Sequence, residues 1–347
     1  MARTLPNVNR QFVMASRPSG LPKESDFAIR EGPVPTPAQG EMLIRAHYLS
    51  ADPLQRYRME ATSSYGQVLE HGDVIKGRLV GEIVQSRHPD YQVGEFVEGM
   101  LGWQEYAISD GSTKRAEYAP GIARVDPNVA PISTSLGILG FPGVTAYFAL
   151  RDICAPKSGE TVVVSSAAGA VGSLAGQIAK IMGARVVGLA GTNEKTDWIT
   201  KELGFDAGIN YRMTPDLLAA LKDTCPERID AHFDNVGGEI SDTILQLLAK
   251  DARIALVGNI SRNNRTDNPP RTEYQQKLMS SRALMKGFIV YDYEDRADEA
   301  RRAIADWLKA GRIQYRETIL DGFENAPRAF ISMMQGGNIG KQLIRLI

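Results

Sequence analysis

Between Val162 and Gly183 the spacing of apolar residues changes once. Val162, Val163 and Val164 form a continuous β-branched run, as expected of a strand buried on both faces. Small residues follow, Ser165-Ser166-Ala167-Ala168-Gly169-Ala170-Val171-Gly172-Ser173, and beyond them Leu174, Ile178, Ile181 and Met182 recur at helical spacing up to Gly183. The pattern predicts strand, tight turn, helix and glycine stop. The run Ala184-Arg185-Val186-Val187-Gly188-Leu189-Ala190 predicts a second buried strand and completes a β-α-β unit.

The chain before this unit has a different rhythm. Short apolar stretches at Gln11–Ala15, Glu41–Ala46, Leu79–Val84 and Glu95–Met100 are separated by turns rich in Pro and Gly, such as Gly32-Pro33-Val34-Pro35-Thr36-Pro37. That predicts a mostly β domain. From Leu136 strands and helices alternate, with further strands at Ile229–Phe233 and Ile254–Val257, so the middle reads as a doubly wound α/β domain. Asn259–Pro270 is polar and reads as a surface loop just past a strand end, where open α/β sheets bind ligands. Arg296–Ala310 places Ala300, Ile304, Trp307 and Leu308 on one helical face and stops at Gly311. The stretches Ile313–Ile319, Pro327–Gln335 (helical) and Gln342–Ile347 then return to the first domain. The expected fold class is α/β: a Rossmann doubly wound parallel sheet over 136–312, and a mostly β domain over 1–135 completed by 313–347.

Composition narrows the setting. The chain has 347 residues and a formal charge of −1, which suits two domains with full cores and points to neither nucleic acid nor an anionic membrane. Only Cys154 and Cys225 are present, so free thiols in a reducing compartment are expected, and two cysteines cannot build a structural zinc site. Met1–Arg17 lacks the apolar core of a signal peptide. Leu136–Leu150 is broken by Gly137, Gly140, Pro142 and Gly143, which opposes a membrane span. The expectation is a soluble, cytoplasmic protein.

The turn at Ala167, Gly169 and Gly172 reads as a G-x-G-x-x-G dinucleotide fingerprint with alanine at its first position. The middle glycine lets backbone approach a pyrophosphate, the last lets helix lie close on strand, and the helix N-terminus offers amides to the anion. An NAD site expects an acid about 20 residues on, at the ribose 2′-hydroxyl. Here that place holds Ala190-Gly191-Thr192-Asn193, with Lys195 following Glu194. A strand end without a carboxylate and with a lysine beside it suits the 2′-phosphate of NADP; the alternative is a solvated lysine in a helix's first turn.

The order of these parts resembles the medium-chain dehydrogenase/reductase superfamily. The words Leu49-Ser50-Ala51-Asp52-Pro53, Ala168-Gly169-Ala170-Val171-Gly172-Ser173, Asp234-Asn235-Val236-Gly237-Gly238, Gly322-Phe323-Glu324-Asn325-Ala326-Pro327 and Asn338-Ile339-Gly340-Lys341 are similar to its zinc-free branch. That branch holds prostaglandin reductase (leukotriene B4 12-hydroxydehydrogenase), plant double-bond reductases and curcumin reductase. The resemblance covers essentially the whole chain. It implies a GroES-like catalytic first domain and NADP held by Gly169, Ala170, Val171 and Gly172 at the pyrophosphate, with Lys195 and Tyr211 on the 2′-phosphate side. It further implies Asn235, the segment Val257 to Asn263 with Gly258, Ile260 and Ser261, Phe288, Ile289, Val290 and Asn338 as the rest of the lining. Read alone, Asn235 and Asn338 could be turn formers and Phe288–Val290 a core strand. A homodimer through the edge of the central sheet is likewise what the resemblance suggests.

Zinc enzymes of the superfamily carry a Gly-His-Glu word and a ligating cysteine, where Lys76-Gly77-Arg78 and Ala51-Asp52-Pro53 stand here. His47, His71, His88 and His232 are the only histidines, none of them beside a cysteine in sequence; a three-ligand zinc from histidine and carboxylate is the alternative. Metal-free reduction of an alkene conjugated to a carbonyl is therefore the expected chemistry: NADPH gives hydride to the β carbon, the carbonyl oxygen gathers charge, and the α carbon is protonated. The resembled enzymes place a tyrosine after an Ile-Ser pair for this purpose. Here Ile260-Ser261-Arg262-Asn263-Asn264 puts Asn263 there, and Leu54 replaces a second family tyrosine while Tyr57 follows three residues later. Asn263 can donate a hydrogen bond but no proton, which leaves Tyr57, Tyr65, the ribose hydroxyl or water. Arg262 reads either as a contact for an anionic substrate or as an exposed loop residue. The loops around Thr62–Asp73 and Arg262–Glu273 are expected to shape the pocket. A small hydrophobic enone is the expected partner; a zinc-free quinone reductase, an alcohol or carbonyl dehydrogenase, and a non-catalytic NADPH-binding protein are the alternatives.

Overall fold

The computed structural model describes residues 6–61, 67–112, 121–262, 264 and 274–347. The chain divides into two compact units, one of Met1–Leu136, Thr318–Asn338 and Gln342–Ile347, the other of Gly137–Glu317 and Ile339–Lys341. The sequence returns everything from 313 onward to the first unit, whereas here 313–317 and 339–341 group with the second. The cause is local: Ile313 is buried in the second unit's core beside Tyr315 and Ile339. Gln177 also clamps the backbone of Gln314, accepting from its N–H at 2.8 Å and donating to its carbonyl at 2.9 Å.

Along the first stretch run β1 (Val8–Met14), β2 (Phe27–Pro33), β3 (Met42–Ser50), α1 (Pro53–Arg58), β4 (Leu79–Ser86), β5 (Phe96–Gly99), β6 (Tyr106–Ser109) and β7 (Ala123–Val125). The middle supplies α2 (Phe141–Phe148), β8 (Thr161–Val164), α3 (Gly172–Ile181), β9 (Arg185–Ala190), α4 (Asn193–Lys201), β10 (Ala207–Asn210) and α5 (Leu217–Thr224). It continues with β11 (Ile229–Asp234), α6 (Gly238–Ile244), β12 (Leu248–Leu256), α7 (Tyr274–Ser281), β13 (Leu284–Gly287) and α8 (Ala297–Lys309). Last come β14 (Glu317–Asp321), α9 (Ala326–Met334) and β15 (Lys341–Arg345).

In the first unit β1 and β2 form a hairpin, and a seven-stranded sheet runs β14-β15-β3-β4-β5-β7 with β6 on β3. Its centre is aromatic. Phe12 lies 4.8 Å from Phe323, and Trp103 lies 6.0 Å from Phe27 and 5.9 Å from Phe330, ring centre to ring centre. The Trp103 indole is fully buried and donates to the Ser50 carbonyl at 3.1 Å, so its polar atom is satisfied. Phe323 and Phe330 come from the returning segment, which completes this core.

In the second unit six strands are ordered β10-β9-β8-β11-β12-β13, all pairs parallel. Successive side chains of a strand face opposite ways. Val162 and Val164 accordingly enter the core shared with α2, α3 and α8, while Val163 enters the opposite one with Leu221 of α5 and Ile244 of α6. Both faces of β8 are thereby dry, which is why its sequence is all β-branched. The strand order reverses between β8 and β11, leaving a crevice at their carboxyl ends.

Candidate functional site

The turn after β8 is pinned to both neighbouring strands. Ser165 N–H donates to the Phe233 carbonyl at 3.1 Å and Ala167 N–H to the Leu189 carbonyl at 2.9 Å. Gly169 N–H folds back on the Ser166 carbonyl at 3.0 Å. A Cβ on Gly172 would stand 2.3 Å from that same carbonyl oxygen, so only glycine lets α3 start this close to the strand. No side chain caps α3 at Val171, although the Ser173 N–H is taken by the Gly169 carbonyl at 3.0 Å. That end of α3, with its positive pole, is suited to a phosphate. From the far end of the chain, Gly340 N–H donates to the Ala168 carbonyl at 2.8 Å and closes the turn.

At the end of β9, Thr192 caps α4 by accepting from Lys195 N–H at 3.3 Å. The loop after β10 folds over this end. Tyr211 N–H donates to the Ala190 carbonyl at 3.2 Å, and a Cβ on Gly191 would stand 3.1 Å from Tyr211 Oη and 3.2 Å from Arg212 Nε. Asn210 Nδ2 donates to Asn193 Oδ1 at 2.7 Å, and its own Oδ1 accepts from Arg212 N–H at 3.2 Å. Lys195 is half-buried, and burial first, then the Arg212 charge, pull its ammonium below the ordinary lysine value against Glu194. Arg212 is absent from the sequence reading; its signal was a second cation directly after Tyr211.

The end of β11 is organised by the buried Asp234. One carboxylate oxygen accepts from Ser165 Oγ (3.2 Å), Val236 N–H (3.0 Å) and Gly237 N–H (2.9 Å), the other from Ser241 Oγ (2.6 Å). Burial alone would raise its pKa, but the adjoining His232 ring and these donors outweigh it and hold the carboxyl far below the usual range. Val257 and Gly258 N–H donate to the Asp234 carbonyl at 2.8 and 3.0 Å, and Ser261 N–H to the Val236 carbonyl at 3.1 Å. These ties hold the segment after β12 beside the segment after β11, next to a cavity of about 530 Å³ lined in part by Gly237, Gly258, Ser261 and Arg262. Asp234 and Ser165 were not picked out from the sequence as functional residues, although Asp234 directly precedes the Asn-Val-Gly-Gly word.

The residues expected to bind the cofactor follow all six parallel strands: Gly169, Ala170, Val171 and Gly172 after β8, Lys195 after β9, Tyr211 after β10, Asn235 after β11, Val257, Gly258, Ile260 and Ser261 after β12, and Phe288, Ile289 and Val290 after β13. Phe288 continues no strand. It is buried, its N–H donates to the Leu256 carbonyl at 3.0 Å, and its ring stacks on Tyr293 at 4.9 Å; Ile289 and Val290 are half-buried. Two expected site residues belong to the first unit: half-buried Tyr57 on α1, and Asn338 in the loop after α9. Asn263 and Tyr65 lie outside the described residues. Among the described residues no group of three or more His, Cys, Asp and Glu side chains is placed to hold a metal ion.

An uncapped helix start, a glycine too close to backbone for any side chain, and two cations at the next strand end together fit an extended dinucleotide phosphate. Comparisons with known proteins agree. Residues 10–116 match the family model described as the N-terminal domain of oxidoreductase, and residues 170–307 the model described as zinc-binding dehydrogenase. The chain is 47% identical over 341 residues to the putative NADP-dependent oxidoreductase YfmJ of Bacillus subtilis (strain 168), covering 97% of each. It is 43% identical over 343 residues to the NADPH-dependent curcumin reductase of Escherichia coli (strain K12), again covering 97% of each. The crystal structure of CurA from Vibrio vulnificus in complex with NADPH superposes with a TM-score of 0.91 at 41% identity, over 97% of this chain and 99% of that one. With relatives this similar along both units, the chain belongs to the zinc-independent branch of the medium-chain dehydrogenase/reductase superfamily.

Proposed function

We propose that this chain is an NADPH-dependent reductase of the carbon–carbon double bond in α,β-unsaturated ketones and aldehydes. The observation that carries the reading is the row of six strand ends, with its uncapped α3 at one place and Lys195 beside Arg212 at the next. The names of the relatives, NADP-dependent oxidoreductase and curcumin reductase, support the same class.

When bound, NADPH supplies the hydride that the substrate's β carbon receives. The α3 amides and Gly169 to Gly172 hold the pyrophosphate, Lys195 and Tyr211 the 2′-phosphate, and Asn235, Val257, Gly258, Ile260, Ser261, Phe288–Val290 and Asn338 the remainder. Charge gathers on the substrate's carbonyl oxygen, where the amide of Asn263 donates a hydrogen bond. An amide surrenders no proton near neutral pH. Tyr57, whose phenol carries a transferable O–H, delivers the proton to the α carbon.

The assembly proposed is a homodimer in the cytoplasm. β13 is the last strand of its sheet, and Leu284 on it is 55% exposed, so a second copy pairing there would extend the sheet and cover the apolar edge. The free thiols of Cys154 and Cys225 suit a reducing compartment.

The test is NADPH oxidation across a medium-chain enal, an aromatic enone, a quinone and a simple ketone, with products identified by mass and infrared spectrum. Enones consumed to saturated ketones with the C=O stretch retained are expected. Turnover of the quinone or ketone alone would move the substrate class while leaving the cofactor reading in place.

A further inference from the structure

Lys195 does not stand alone at the end of β9. The Arg212 guanidinium folds back across the strand end, with Nε only 3.2 Å from where a side chain on Gly191 would begin. Tyr211 Oη reaches the same point at 3.1 Å, and the Arg212 guanidinium lies 6.0 Å from the Tyr211 ring centre. The loop that carries both is fastened to the start of α4 by the Asn210–Asn193 bond at 2.7 Å, and Asn210 also anchors Arg212 N–H at 3.2 Å. Arg212 and Lys195 serve the same strand end and the Arg212 charge acts against that of Lys195, so a doubly charged anion bound there is attracted by both. A guanidinium presents a planar fork of donors matched to phosphate oxygens, whereas an ammonium acts as a point charge.

We propose that Arg212 is the second cation of the 2′-phosphate seat and that it, with Lys195 and Tyr211, sets the preference for NADPH over NADH. The inference rests on the NADPH reading above and adds a residue to it. Asn210 is a positioning residue here: it holds the loop, and Arg212 meets the phosphate. Gly191 leaves room for this arrangement, since a side chain there would crowd Tyr211 Oη and Arg212 Nε.

The experiment is equilibrium titration of NADPH, NADH and 2′,5′-ADP into the intact protein and into Arg212→Ala, Arg212→Lys and Lys195→Ala. Removing a charge-assisted phosphate contact is expected to weaken NADPH and 2′,5′-ADP roughly tenfold to a hundredfold. NADH should change by less than about twofold, and Arg212→Lys should recover part of the loss, as a charge without the fork does. Arg212→Ala that binds NADPH as tightly as the parent, while Lys195→Ala does not, overturns the proposal and leaves the NADPH reading standing. Equal weakening of NADPH and NADH in Arg212→Ala also overturns it, since that marks a general distortion of the loop. A parent protein that binds both cofactors alike overturns the NADPH reading and the proposal together.

Discussion

Ser165 and Asn235 are joined by two hydrogen bonds: the Asn235 backbone N–H donates to Ser165 Oγ at 2.9 Å, and Asn235 Nδ2 donates to the Ser165 carbonyl at 2.7 Å. They stand at the ends of β8 and β11, the two strands between which the sheet order reverses. The tie therefore fixes the width of the crevice. Asn235→Ala strands the Ser165 carbonyl, and Ser165 is fully buried. The expected cost is about 1–3 kcal/mol, read from urea unfolding midpoints, with NADPH affinity reduced in the same variant. An unfolding curve superimposed on the parent's would mean that the bond has no part in holding the two strand ends.

The Asp234 carboxyl gives a prediction about acid. Its folded pKa lies below the unfolded value of about 3.9, so its contribution is complete above that value and lost as pH falls through the folded one. Stability of the parent should fall on acidification below about pH 5, and Asp234→Asn, weaker at neutral pH, should fall less steeply. Denaturant midpoints measured from neutral to acid compare the slopes. Parallel slopes would assign the acid sensitivity to other carboxylates.

Gly172 tests the glycine turn. A methyl group there meets the Ser166 carbonyl oxygen at 2.3 Å, so Gly172→Ala must push α3 away from β8. A loss of about 1–3 kcal/mol is expected from overpacking. Because the pyrophosphate is common to both cofactors, NADPH and NADH should weaken together, opposite to the selective loss at Arg212. Isothermal titration with both nucleotides decides it.

Among the described residues β13 pairs with β12 alone, and its other edge predicts an assembly. Leu284→Asp places a charge on an apolar strand that is paired on one side by β12. Sedimentation velocity should find two copies for the parent and one for the variant. A parent that sediments as a single chain would remove the proposed dimer.

Lysine titration supplies one more prediction. Burial and the Arg212 charge lower the Lys195 pKa, so NADPH affinity should decline at an alkaline pH below the ordinary lysine value of about 10.4. In Lys195→Arg the decline should vanish from that range, as a guanidinium stays charged. Titrations across alkaline pH, with NADH as the reference, measure it.

What could be read from sequence was what neighbouring residues decide together. The run Val162–Val164, the small residues behind it and the helical spacing from Leu174 are local patterns, and strand, turn and helix follow where they place them. Phe288 illustrates the opposite. Its sequence neighbours allow a strand or a cofactor wall, and nothing in them announces its burial or its stack on Tyr293. Arg212 and Asp234 were missed for a related reason: each acquires meaning from a loop or strand end distant in sequence, Gly191 for one and Ser165 for the other. The grouping of 313–317 with the second unit likewise depends on Gln177, which no reading of the stretch itself could supply.

The bond from Gly340 to Ala168 has a bearing on how the protein is made. A nascent chain leaves the ribosome with the glycine turn long before the residues that close it. The parallel sheet can assemble from what has already emerged, yet the carbonyl of Ala168 waits for a partner made well after the sheet's last strand. Long-range closures of this kind slow folding, and a chain stalled before Gly340 would display a cradle open on one side. Completion of the cradle thus depends on a segment made after every strand of the parallel sheet.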